Sequence, residues 1–161
     1  MDVVTVRPAR TEELSAVADL RWQWTMENDK ETPVTTREQF RNHFVEWARD
    51  NAASHTCFVL LRGTRVIGMA WLAITNRVPG PAALWRAAGD MQCVYVIPEE
   101  RNTGLGSLLV DAVNERAKEL GLERVTVHSS SRAVSAYARY GYAVSPKLLQ
   151  IVIGESPRPV R

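Results

Sequence analysis

Arg101-Asn102-Thr103-Gly104-Leu105-Gly106-Ser107 is the stretch that decides how this chain reads. It lies between the apolar run Cys93 to Ile97, closed by Pro98, and a strongly helical segment beginning near Gly104. A strand, a glycine turn and a helix start together make an anion cradle. Glycines let backbone approach a ligand without side-chain interference, and the unpaired N–H groups of a first helical turn point at whatever negative group sits there. The expected ligand is a phosphate or pyrophosphate.

Glycine turns before helices are also ordinary punctuation, so the spacing has to discriminate. A dinucleotide fingerprint would need a third glycine at position 109, which is Leu, and no Gly-Lys-Ser/Thr follows to make an NTPase loop. What remains, Arg101-x-x-Gly104-x-Gly106 after a strand, resembles the pyrophosphate-binding signature of the GNAT superfamily of acetyl-CoA-dependent N-acyltransferases. A second run, Ala133-x-x-x-Tyr137-x-x-x-Gly141-Tyr142, is similar to that family's Ala-x-x-x-Tyr-x-x-x-Gly-Phe. Two departures are Tyr142 in place of the usual Phe and Ser130 where many members carry Asn.

With 161 residues, 45% hydrophobic and 24% charged, the chain suits one globular domain with one sizeable core. We expect that domain over residues 1–154 and a tail over 155–161. A net charge of +2 argues against a dedicated nucleic-acid surface. No stretch approaches the roughly 20 apolar residues that span a bilayer, and the N-terminus lacks a basic segment followed by a long apolar run; the expectation is a cytoplasmic protein without a membrane partner. Cys57 and Cys93 sit in strand-like runs with no nearby ligand-spaced Cys or His, and His43, His55 and His128 are far apart in sequence, so no metal is expected.

Periodicity supplies the element order. Val3 to Val6 is β-rich; Leu14, Val17, Leu20 and Trp24 recur at helical spacing; Thr35 or Thr36 starts a second helix, with Glu38 or Gln39 completing a capping box. Thr56 to Leu61 and Val66 to Thr75 flank Arg62-Gly63-Thr64 as a hairpin. Ala82 to Ala88 reads as a helical turn or an irregular lid, and Asp90 to Ile97 as the fourth strand. The helix after the glycine turn carries Leu105, Leu108, Leu109, Ala112, Val113 and Leu120 on one stripe and stops at Gly121. A strand over Leu122 to Val127, a short helix over Ala133 to Tyr140 and a last strand or strands in Tyr142 to Ile153 complete the chain.

That order matches the GNAT fold over nearly the whole length. The resemblance implies an α/β protein with a central mixed, mostly antiparallel sheet of six to seven strands and about four helices. It also implies an N-acetyltransferase in which a primary amine attacks acetyl-CoA directly. Backbone groups of Val94, Tyr95 and Val96 would meet the pantetheine and thioester, and the amides of Asn102, Thr103, Gly104, Leu105, Gly106 and Ser107 the pyrophosphate, with charge from Arg101. Tyr137 takes the place of the family tyrosine that protonates the departing sulfur.

The base is less determined. Asp90, Gln92 and Val94 alternate along one strand and so project to one side, toward the expected acetyl end; Asp90 is a candidate base, and equally a strand-start aspartate. Glu27 and Asp29 are competing acids suited to a cationic amine, and Trp22 and Trp85 are aromatic candidates for the acceptor pocket. A small-molecule or protein amine is the expected partner, and a homodimer is compatible with the chain. Two other readings stand beside the enzyme: a non-catalytic acyl-CoA sensor or scaffold, and a dinucleotide-binding protein. The second is disfavoured by Leu109 and by His128, which stands where an acidic residue would end the following strand.

Overall fold

A computed structural model describes residues 2–28 and 31–154. In chain order the elements are β1 (Val4–Pro8), α1 (Leu14–Asn28), α2 (Arg37–Asp50), β2 (His55–Arg62), β3 (Arg65–Arg77), β4 (Arg86–Val96), α3 (Leu105–Glu119), β5 (Val125–Val127) and α4 (Val134–Arg139). The strands form one sheet in the order β1-β2-β3-β4-β5. Its first three pairings are antiparallel, and β5 lies parallel to β4. The sheet is therefore mixed and mostly antiparallel, as expected.

Local chemistry accounts for the boundaries. Thr36 caps α2 by accepting from the Gln39 amide, while the Gln39 side chain returns to the Thr36 amide, a capping box that satisfies two otherwise orphaned donors. Gly63, at φ +60°, turns β2 into β3. Register places Cys57, Trp71 and Gln92 opposite one another on one sheet face, and α1 and α2 cover it: Phe44 meets Trp71 edge-on at 5.7 Å and Trp24 stacks on Tyr95 at 5.9 Å. The opposite face carries Leu60, Leu72 and Met91, all buried, under the Leu109, Val110 and Val113 stripe of α3.

Three expectations are corrected. The fourth strand begins at Arg86 instead of Asp90, so the segment Ala82 to Ala88, expected as a helical turn or an irregular lid, is irregular only over residues 82–85 and is strand from Arg86. Arg86 pairs with Arg77 across the ladder, and its guanidinium holds Glu123 at 2.5 Å and the Val78 carbonyl at 2.8 Å, which carries the hairpin further than its apolar run. The strand expected over Leu122–Val127 is shortened to three residues.

Last, no strand forms in residues 142–153, so the sheet has five strands among the described residues against the six to seven expected. Leu148, Leu149, Ile151, Val152 and Ile153 are strand-formers by type but exposed and without a ladder partner. Propensity records fitness for a pleated surface and supplies no neighbour. The tail at 155–161 lies outside the described residues, within which no helix is long and apolar enough to cross a membrane.

Candidate active site

The site is made by two departures from regular sheet. On β3, Met69 and Trp71 are two residues apart, yet their partners on β4, Tyr95 and Gln92, are three apart. One extra residue is thus inserted at Cys93–Val94, and Cys93 takes φ +53°, a left-handed conformation that costs a non-glycine residue on the order of 1 kcal/mol or more. The bulge breaks the alternation, so Asp90 and Gln92 share a face but Tyr95, not Val94, continues it. The expected common side for Val94 is corrected accordingly.

The second departure is the early end of the parallel ladder. β4 and β5 pair only at Gly89–Val125, Asp90–Thr126 and Met91–Val127. Beyond these the strands part, opening a cleft of about 310 Å³. Gln92, Cys93 and Val94 form one wall, His128, Ser129 and Ser130 another, with Tyr137 from α4 and Trp24 from α1 completing it. Backbone freed from a ladder in this way has N–H and C=O groups available to a ligand.

The chain then leaves β4 into the glycine turn. Asn102 and Gly104 are both left-handed, at φ +63° and +80°. Gly104 is the N-cap of α3 and has no side chain with which to cap it. The Ser107 amide bonds back to the Gly104 carbonyl at 3.2 Å, whereas helix geometry leaves the amides of Leu105 and Gly106 without an intrahelical acceptor. A Cβ added at Gly104 or Gly106 would meet nothing within 4 Å. Protein packing therefore explains neither glycine; the left-handed backbone accounts for Gly104, and Gly106 leaves space for close approach of a ligand. The donor set, orphan amides at the positive end of a 15-residue helix, fits a pyrophosphate.

Around the cleft the titratable groups differ in readiness. Burial, with Tyr140 beside it, raises the Tyr137 phenol above its ordinary value and keeps it protonated. Asp90 is engaged on both oxygens, accepting from the Thr126 hydroxyl at 3.0 Å and from the Gln92 amide at 2.8 Å. Burial also raises the Cys93 thiol, while the positive charge of Arg21 pulls partly the other way.

At the end of α1, the Glu27 carboxylate accepts from the Tyr95 hydroxyl and from Arg101 Nη2, the latter at 2.9 Å. Burial opposes its ionisation, but these two donors prevail and hold it below the usual carboxylate range. Arg101 also donates from Nε to the Val96 carbonyl at 2.8 Å and lies over the Tyr95 ring at 5.2 Å. Glu27 and Arg101 are thus brought to each other, joining the end of α1 to the start of the glycine turn. Trp22 packs on Phe40 at 5.8 Å, away from the cleft lining, and Trp85 is 95% exposed. Asp29 lies outside the described residues.

The model of the acetyltransferase (GNAT) family matches residues 14–142. The chain belongs to that family. Solved GNAT-like structures superpose over most of its length. A predicted acetyltransferase from Clostridium acetobutylicum, solved with acetyl-CoA, covers 93% of this chain and 96% of its own at TM-score 0.74 and 17% identity. Glucosamine-6-phosphate N-acetyltransferase from Arabidopsis thaliana covers 95% and 100% at TM-score 0.71 and 18% identity. Likeness at these identities is likeness of fold. An amino-acid acetyltransferase from Pasteurella multocida is 36% identical over 56 residues, 35% of this chain and only 12% of that protein's length.

The GNAT motifs flag residues that are local to one turn or helix, and so they pass over three that the fold brings to the cleft. Trp24 reads in sequence as core stripe, and it does stack on Tyr95, but it also borders the cleft. His128 lines the cleft because β5 ends one residue before it. Arg21, which no motif singles out, lies with its guanidinium 4.9 Å from the Trp24 ring centroid in a recess next to the cleft. Spacing from Trp24 could have flagged Arg21, since residues three apart on a helix are neighbours.

Proposed function

We propose that this GNAT protein is an N-acetyltransferase that uses acetyl-CoA and a primary amine acceptor, with direct attack of the neutral amine on the thioester. The observation that carries the reading is a conjunction in one place. A strand bulge frees backbone at Cys93–Val94, Tyr137 stands across the cleft, and a glycine-led helix start follows directly downstream. The acetyl-CoA complex of the Clostridium relative supports the cosubstrate, and the short match to an amino-acid acetyltransferase supports an amine acceptor.

Acetyl-CoA supplies an activated acyl group. The amides of Asn102 to Ser107 would hold its pyrophosphate, and the backbone of Val94 to Val96 would align the pantetheine and place an N–H toward the thioester oxygen. Tyr137, protonated at neutral pH, would return a proton to the departing sulfur. Asp90, tied to Thr126 and Gln92, would take the amine's proton through a water. Mixing the purified protein with acetyl-CoA and a panel of amines tests the reading through the release of free thiol. Acceptor-dependent release is expected; tight acetyl-CoA binding without release from any amine would favour the sensor reading.

A further inference from the structure

We infer that the acceptor carries a carboxylate as well as its amine, and that Arg21 binds that carboxylate in a recess next to the cleft. The inference rests on the acetyltransferase reading above and names the substrate class for it. The recess, about 260 Å³, is lined by Arg21, Trp24, Thr25, Asn28 and Glu31, and it shares Trp24 with the cleft. Its volume falls below the ~300–1,000 Å³ of pockets for drug-sized ligands, which suits a small acceptor.

Arginine pairing singles out Arg21. The half-buried arginines Arg7, Arg41, Arg62 and Arg86 each hold a carboxylate. So does Arg101, which stands at one end of a stack running Arg101, Tyr95, Trp24, Arg21 and is neutralised there by Glu27 at 2.9 Å. Arg21 closes the other end, with its guanidinium 4.9 Å from the Trp24 ring centroid. It gives one bond to the Thr25 hydroxyl at 2.9 Å. Among the described residues it is the only arginine that is not exposed and has no carboxylate partner.

Arg21 is half-buried with donors to spare, and a bound carboxylate would take charge-assisted bonds from them. The recess shares Trp24 with the cleft, whose Cys93–Val94 bulge is where the thioester is proposed to lie. A carboxylate held by Arg21 would therefore keep an amine on the same small molecule within reach of the reacting carbon. Charge favours a monoanion: Arg21 is the one cation among the described residues that line the recess, and Glu31 beside it would oppose a dianion more strongly.

The test compares kcat/KM for free L-amino acids, their C-terminal amides, O-phosphoethanolamine and spermidine, in the wild type and in the variants Arg21→Gln and Arg21→Lys. Calorimetry with acetyl-CoA on each protein reports the fold and the cofactor site. We expect at least one amino acid to be preferred over its amide by about 10–100-fold, the range of a charge-assisted hydrogen bond. Arg21→Gln should bring that ratio close to one, and Arg21→Lys should restore part of it. Preference for the amide, for spermidine or for the phosphorylated amine would overturn the inference while leaving the enzyme reading standing. So would a ratio unchanged in Arg21→Gln, or acetyl-CoA binding with no amino acid acetylated. Failure of the wild type to bind acetyl-CoA would instead remove the reading on which the inference rests.

Discussion

A phenol can hand a proton to a departing thiolate only if it still holds one at the working pH, and burial ensures this for Tyr137. Its ring is also packed, lying edge-on to Tyr142 at 5.5 Å and to Tyr140 at 6.2 Å. Tyr137→Phe keeps those contacts and removes only the hydroxyl. The proposed acid role predicts a fall of about 10²–10⁴-fold in single-turnover rate with acetyl-CoA affinity retained; a wild-type rate would pass the role to water or another donor. Tyr137 was legible in the sequence because its motif is contained in one helix and the turn after it. Arg21, Trp24 and His128 were not, because their nearness to the cleft depends on how α1 crosses β4 and on where β5 stops pairing.

At the scale of elements, the bounds of α3 and the turn before it were legible, from a glycine at each end and a preceding strand; its buried stripe was legible in part, since Leu109 and Val113 are buried but Leu108 and Leu120 are exposed and Val110 and Ala117 take their place. The bulge in β4 was not, since period-two alternation carries no mark of an inserted residue, and the reading that put Val94 in phase with Gln92 failed for that reason. The final strand failed differently. The apolar run Ile151–Ile153 has the right residue types, and the structure gives it no partner among the described residues. Gly68 tests how tightly β3 holds the bulged strand. A Cβ there would fall 2.9 Å from the Tyr95 carbonyl oxygen and 3.2 Å from Leu60, and a backbone atom cannot swing aside as a side chain can. Gly68→Ala is therefore expected to cost roughly 1–3 kcal/mol in urea unfolding, and to weaken acetyl-CoA binding because it pushes on the Val94–Val96 backbone. Unchanged stability would mean that β4 yields freely at this point.

Across the whole molecule, helices on both faces of the sheet fix β4 against β3, while the parting of β4 from β5 leaves one edge of the same sheet open for a ligand. The fold thus supplies a rigid wall and a gap side by side, with the anion cradle at the end of the wall. The account depends on that cradle, and substitution at its glycines probes it. Gly104→Val would be strained by the left-handed backbone whatever the ligand does. Gly106 is the cleaner position: it lies within α3 with no positive φ, and a Cβ there meets nothing within 4 Å, so the backbone accepts a side chain without strain. Calorimetric titration of acetyl-CoA into the wild type and into Gly106→Leu is the decisive measurement. The account predicts binding to the wild type and a loss on the order of tenfold or more in a variant whose thermal stability is equal or higher; equal affinity in the two proteins would contradict it.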